Sequence, residues 1–376
     1  MFDVILALTL SFAISFLAIP VIIRVAAMKK LYDLPDERKV HQAPIPALGG
    51  LGIFAGFAFS TLLVADFQQG RELQYFLAAS LVIYYLGLKD DIIIISPVKK
   101  FIGQVLAAFI VIYFGNIQID SMHGLLGIHG LPQLFSLVFT YLTVIVIINS
   151  FNLIDGVDGL AGSLGFLSSS VFGIYFVSVG YVAEAVMAFS MAGSILAFLI
   201  FNFQPARIFM GDTGSLLIGL INAILVIRFI TVATTPDISL PIAAAPAVGF
   251  GILMVPLLDT LRVFAIRIFQ RRSPFSPDRN HIHHLFLDNG FSHRSVAIIL
   301  LALNAITVGL AFAFHEIGNN WLMGLLFGIF FTIIGAMYIA RQRRPRLFVT
   351  QSAEMNGKIG KAKIVPLTEE SVLQQK

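Results

Sequence analysis

Residues Asn149–Gly162 read NSFNLIDGVDGLAG, a polar stretch between an apolar run at Leu134–Ile148 and another at Leu164–Val179. Each run has the length of a membrane-crossing helix, so these carboxylates and carboxamides sit where one span meets water and the next begins. Asp155 and Asp158 are three residues apart, as are Asn149 and Asn152. In a helical turn each pair lies on one face. Gly156, Gly159 and Gly162 let the backbone come close to a ligand. Oxygen donors crowded at a membrane surface point to a hard cation and a phosphorylated substrate. A polar interhelical loop capped by Asp and Gly explains the same residues without chemistry, and this stretch alone does not choose.

Composition settles the class. Hydrophobic residues make up 57% of the 376-residue chain, charged residues only 12%, and 35 are Phe. That describes an integral membrane protein, not the two or three soluble domains the length would otherwise allow. No cysteine is present, which excludes a disulfide framework and a thiolate metal site. The first apolar run, Val4–Ile23, follows Asp3 and meets no cation before Arg24. This is unlike a cleavable signal peptide and predicts a retained first span.

The apolar runs predict an all-α polytopic membrane protein with about eleven transmembrane helices. They fall at 3–27, 48–65, 73–88, 101–119, 133–150, 160–179, 185–201, 214–234, 240–261, 294–314 and 321–340. Loops 28–47, 89–100, 202–213 and 262–293, with the tail after Arg341, hold nearly all the Lys and Arg. The alternate loops hold almost none, apart from Arg71, and Arg228 is expected to snorkel outward. Positive charge marks the cytoplasmic side, which predicts the N-terminus outside and the C-terminus cytoplasmic. Residues 1–340 then form one transmembrane domain. Residues 341–376 are a polar cytoplasmic tail, expected to be disordered beyond a basic start at the headgroups.

Five polar clusters fall on the predicted cytoplasmic side. In Tyr32–Gly50, Arg38, Lys39 and His41 suit a phosphate, although for this cluster alone an ordinary basic loop is the better explanation. In Gly87–Lys100, adjacent Asp90 and Asp91 end the third span and repel each other unless a cation or proton intervenes, while Lys100 can neutralise phosphate. The third cluster is Asn149–Gly162. In Asn202–Gly219, Asp212 lies between Gly211 and Thr213 at a helix start, a natural place for an anion or a metal-bound phosphate. Phe209 nearby offers a flat surface for a base, or simply faces lipid. In Arg271–Ser295, His281, His283 and His284 with Arg279 form a cationic, hydrogen-bonding loop. The HxHH spacing also invites zinc, but without Cys the neighbouring oxygen donors serve Mg2+ at least as well.

Taken in order, Asp90-Asp91, NxxNxxDGxDGLAG, FMGDTGS and HIHH resemble the polyprenyl-phosphate N-acetylhexosamine-1-phosphate transferases over about Tyr32 to Arg294. The phospho-N-acetylmuramoyl-pentapeptide transferase is a more distant relative, and its three consecutive histidines are absent here. The resemblance implies transfer of a sugar-1-phosphate, most simply GlcNAc-1-phosphate, from a UDP-sugar to undecaprenyl phosphate, releasing UMP and starting a surface glycan. It implies a multi-pass protein of the cytoplasmic (inner) membrane with its site facing the cytoplasm. Mg2+ is the implied cofactor, with Mn2+ as a substitute, held by Asp212 with Asn152 assisting. Asp90 and Asp91 match the catalytic pair, and Asp155 completes the acidic centre. Asp158 and Phe209 match the uracil positions. Lys100 matches the lysine near the diphosphate, and Arg279 with the three histidines matches the loop over the sugar. Asn149, Gly211, Arg38 and His41 complete the expected substrate contacts. The expected partners are the lipid bilayer, donor and acceptor, with no nucleic acid and a homodimer as an option. A polytopic cation transporter is the competing class, but its ionisable groups would lie at mid-membrane.

Overall fold

The computed structural model describes residues 1–31, 45–68, 70–273 and 280–342, with two tail strands at 347–350 and 363–366. Among these residues the helices are α1 (Phe2–Lys29), α2 (Gly49–Val64), α3 (Leu73–Ile92), α4 (Pro97–Phe109), α5 (Gln133–Ile154), α6 (Leu160–Ser178) and α7 (Val182–Asn202). They continue as α8 (Gly211–Ala233), α9 (Ala245–Ile252), α10 (Met254–Phe269), α11 (Ile282–Asp288), α12 (His293–Ala313) and α13 (Asn319–Gln342). A π-helical turn, Ile110–Phe114, extends α4. A hairpin of β1 (Ser121–Leu125) and β2 (Ile128–Gly130) lies between α4 and α5. In the tail, β3 (Leu347–Thr350) pairs antiparallel with β4 (Lys363–Pro366).

This is a multi-pass membrane architecture. Among the described residues, 8 helices are long and apolar enough to cross a bilayer. Every predicted span contains a helix, yet three fall short of that standard. α2 has only 16 residues, and α3 ends in Lys89, Asp90 and Asp91. The span predicted at 240–261 needs correction: residues 235–244 are not helical, and the helix that follows is broken between Ile252 and Met254. Pro241, Pro246 and Pro256 account for this, since each lacks an N–H and disfavours helix in the residue before it. Asn304 of α12 repairs the break, accepting from Val255 N–H at 3.0 Å and donating to the Ile252 carbonyl at 2.8 Å. Backbone left bare at that depth would cost several kcal/mol, which explains an Asn inside an apolar helix.

The helix that organises the rest is α8. It is apolar on every side, and such a helix is stable only when neighbours surround it. Most of its residues are buried, packed by α2, α3, α5 and α6. Contact with α5 is close because a Cβ at Gly219 would lie 2.6 Å from Ile148 Cα. α1 and α13 lie at the periphery, their exposed apolar side chains turned towards lipid. Small residues bring α1 and α2 together: Ser15 donates to the Gly52 carbonyl at 2.9 Å and Ser60 to the Ala7 carbonyl at 2.8 Å. The bundle therefore fixes the N-terminus of α8 inside a ring of other helix ends.

Candidate active site

Four chain segments meet at the start of α8. Gly211 opens the helix with φ +71°, a conformation that favours glycine. A Cβ there would also lie 2.3 Å from the Ala47 carbonyl oxygen and 2.6 Å from Asp91 Oδ2. No side chain of α8's own N-cap residue satisfies the first N–H groups. Asp91 of α3 does so instead. Its Oδ1 accepts from Asp212 N–H at 2.6 Å, and its Oδ2 accepts from Thr213 N–H at 3.0 Å and from the Thr213 hydroxyl at 2.5 Å. A carboxylate on exposed helix N–H groups is favoured by their partial positive charge.

Asp90 turns elsewhere, so the adjacent carboxylates do different work. Its Oδ1 accepts from Ile95 N–H at 2.8 Å and its Oδ2 lies 3.2 Å from Lys100 Nζ. Lys100 stands in the first turn of α4 and is also paired with Asp212 Oδ2, with Asn152 Oδ1 at 3.4 Å. Asn152, near the end of α5, donates to Asp212 Oδ1 at 2.6 Å and to Ser215 Oγ at 3.0 Å. Asp90, Lys100, Asn152 and Asp212 thus form one network. Asn149 stands apart, one helical turn deeper, where its amide exchanges hydrogen bonds of 2.9 and 3.3 Å with buried Gln104.

Asp155 lies in the loop after α5 and is half-buried. Burial, then the charges of Asp212, Asp91 and Asp158, push its carboxyl up to about 8. Two hydrogen bonds tie this loop to the segment before α8. Asn202 Oδ1 accepts from Gly159 N–H at 2.8 Å, and Asn202 Nδ2 donates to the Ile208 carbonyl at 2.9 Å. The next residue, Phe209, is half-buried and donates its N–H to the Pro46 carbonyl at 2.8 Å. Asp158 is buried within the loop.

The histidines reach the same place through α11. A Cβ on Gly156 would lie 2.4 Å from His283 Nε2, so the ring rests on the DGVDG loop. His281 and His283 stack with centroids 5.6 Å apart, and His284 follows at 4.3 Å. The prediction of a cationic loop is corrected at His283: burial, then neighbouring His284, lowers its pKa to about 3, so the ring is neutral at pH 7. No group of three or more His, Cys, Asp or Glu suited to a metal occurs among the described residues.

Sequence reading missed the residue that anchors this segment. Asp259 of α10 is buried; its Oδ2 is 2.9 Å from His281 Nδ1, and its Oδ1 accepts from Ile282 N–H at 2.7 Å. Arg262 donates to Asp259 Oδ1 at 3.1 Å, to Tyr338 Oη at 3.3 Å and to the Asn280 carbonyl. The available signal was an acid and a base spaced i, i+3 at the end of an apolar run. Gln104 and Asn202 were passed over as well. Arg38, His41 and Arg279 lie outside the described residues.

The donors fit a hard divalent cation. Asp90 Oδ2, Asp212 Oδ2 and Asn152 Oδ1 already gather round one positive charge, the Lys100 ammonium. Mg2+ commonly takes one or two protein carboxylates and completes its shell with water and substrate phosphate, so an all-protein cage is not required.

Comparison with known proteins places the chain in a family. Residues 73–230 match the family model described as glycosyl transferase family 4. The chain is 32% identical over 319 residues to the undecaprenyl-phosphate alpha-N-acetylglucosaminyl 1-phosphate transferase of Escherichia coli O157:H7, covering 83% of this chain and 84% of that protein. The protein of that name from Haemophilus influenzae is 33% identical over 334 residues, covering 87% and 91%. The one from Yersinia pestis is 31% identical over 320 residues, covering 83% and 85%.

Proposed function

This chain belongs to glycosyl transferase family 4, with the undecaprenyl-phosphate alpha-N-acetylglucosaminyl 1-phosphate transferases, and from that premise we propose that it transfers GlcNAc-1-phosphate from UDP-GlcNAc to undecaprenyl phosphate. UMP is released. The reaction takes place at the cytoplasmic face of the inner membrane and begins a cell-surface glycan. The observation that carries this reading is the convergence of Asp90 and Asp91, Lys100 and Asn152, from three separate helix ends, on Asp212 and Thr213 at the start of α8.

Two anions must meet, a lipid phosphate and a nucleotide diphosphate, so their charge has to be offset before they react. Asp212, with Asn152, would hold Mg2+; once bound, the ion would draw charge from the diphosphate oxygens. Lys100 supplies a fixed ammonium beside it. A lipid phosphate oxygen attacks the β-phosphorus in line, forming the new P–O bond as the bond to the UMP oxygen breaks. Asp91 positions the start of α8 and does not take the proton, because both its oxygens already accept from that helix. Asp155, its carboxyl raised to about 8, already holds a proton at neutral pH, so a residual phosphate proton would go to Asp90, the carboxylate beside Lys100. Asp158 and Phe209 would hold uracil. The histidines, seated on Gly156 and anchored by Asp259, would close over the sugar.

The transporter reading loses its support. Its relay would cross the membrane at mid-depth, whereas this network is confined to one end of α8. The test is UMP release by the purified full-length protein with undecaprenyl phosphate, Mg2+ and a panel of UDP-sugars. Turnover with UDP-GlcNAc well above the other donors is expected. No turnover with any UDP-sugar would refute the activity.

A further inference from the structure

The other end of α8 carries a second polar site that the transfer reaction does not use. Arg228 lies 16 residues after Asp212 on the same helix, about 24 Å away at 1.5 Å per residue, close to the thickness of a bilayer's hydrocarbon core. It lines a cavity of about 440 Å³ with Asn116, Gln118, Asp120, Gln133 and Thr231. That volume is within the range of small-ligand pockets.

The wall chemistry narrows the ligand. Arg228 Nε donates to Glu184 Oε1 at 3.0 Å and its Nη2 bonds the same oxygen, which leaves Nη1 without a protein acceptor among the described residues. Glu184 is buried and offsets the charge of Arg228, so this wall carries a hydrogen-bonding cation with little net charge. Asp120 adds an exposed carboxylate whose side chain accepts no hydrogen bond among the described residues. The amides of Asn116, Gln118 and Gln133 offer donors and acceptors between them. A purely anionic ligand would meet Asp120 and Glu184 unfavourably, and a purely cationic one would meet Arg228. A zwitterion satisfies both, and the surrounding lipid supplies one at this depth.

We propose that this cavity seats the phosphoethanolamine headgroup of a bilayer lipid, with its phosphate on Arg228 and its ammonium on Asp120. The site is separate from the transfer centre, and the acyl chains follow the exposed apolar face beside α4 and α5. Stitching of α7 to α8 by the Arg228–Glu184 pair is the structural alternative, and it makes no claim on headgroup identity.

The test is native mass spectrometry of the delipidated full-length protein titrated with phosphatidylethanolamine or phosphatidylglycerol of identical acyl chains. Wild type is expected to retain the ethanolamine lipid about fivefold more tightly, the scale of one partly exposed ion pair. Asp120→Asn, on an exposed loop, should abolish that preference by lowering retention of the ethanolamine lipid to that of the glycerol lipid. Arg228→Gln should weaken both lipids, but it also strands Glu184, so Asp120→Asn is the decisive variant. Soluble phosphoethanolamine at equal concentration should displace neither lipid. Equal retention of the two lipids by wild type, or an unchanged preference in Asp120→Asn, overturns the proposal. Displacement by the soluble compound would overturn the lipid assignment in favour of a free zwitterion.

Discussion

At its C-terminal end α8 sets Arg228 against Glu184, one cation for one carboxylate. At its N-terminal end Asp90, Asp91, Asp155 and Asp212 converge around a single ammonium among the described residues, that of Lys100. The same apolar helix therefore ends once in balance and once in surplus. A balanced pair holds two helices together and needs no added cation or proton. Carboxylates in surplus at this burial are costly unless a cation or proton joins them. The lesson is that net charge distinguishes the helix end that calls for a cation from the one that does not, where the number of polar residues does not.

That contrast can be broken by experiment. The largest effect is expected from Lys100→Ala, which removes the one ammonium at the surplus end. Turnover should fall by about two to three orders of magnitude in the UMP-release assay, the range for loss of one preorganised charge. Next come the paired aspartates, where the roles separate. Asp90→Asn should cut turnover about a hundredfold and leave the melting temperature in detergent near wild type. Asp91→Ala should lower both, because it strips a cap worth about 1–2 kcal/mol from α8. Asp91→Ala melting like wild type would remove the distinction between them.

The third effect is one of pH. The Asp155 carboxyl is raised in the folded protein from an ordinary 3.8 to about 8, so the native state binds that proton more tightly than the unfolded chain does. Stability of the metal-free protein should therefore fall as pH rises through the window from about 4 to about 8. Melting curves in chelator from pH 6 to 9 should show the decline, and Asp155→Asn should flatten it. A smaller loss, about tenfold in turnover, is expected for Gly156→Ala, whose methyl displaces the His283 ring. The smallest is the balanced end itself. Replacing Arg228 and Glu184 together by Leu removes both charges at once and should leave turnover within about twofold.

Much of this was legible beforehand, because each cluster broke a long apolar run and a polar residue there needs a reason. The helices from 133 to 233 came out within a few residues of expectation, since nothing but apolar length determines them. What could not be read was pairing in three dimensions. Asp90 and Asp91 look equivalent in sequence, but successive residues on a helix point about 100° apart, and only the packing of α3 on α8 shows which one meets the helix N-terminus. Asp259 lies inside a run that reads as a simple span, and only the folded chain brings it to His281 and Ile282. The Arg228–Glu184 pair could not be read because its members lie 44 positions apart in sequence; Arg228, expected to snorkel outward, is paired with a carboxylate of α7.

Asp212 holds the centre of the surplus end, touching Lys100 and Asn152 through its side chain and Asp91 through its backbone. The most direct measurement is UMP release by purified Asp212→Asn beside wild type, with saturating Mg2+, UDP-GlcNAc and undecaprenyl phosphate. A correctly inserted variant with no more than about a hundredth of wild-type turnover is expected. Wild-type turnover in that variant would contradict a cation-dependent transfer centre at the start of α8.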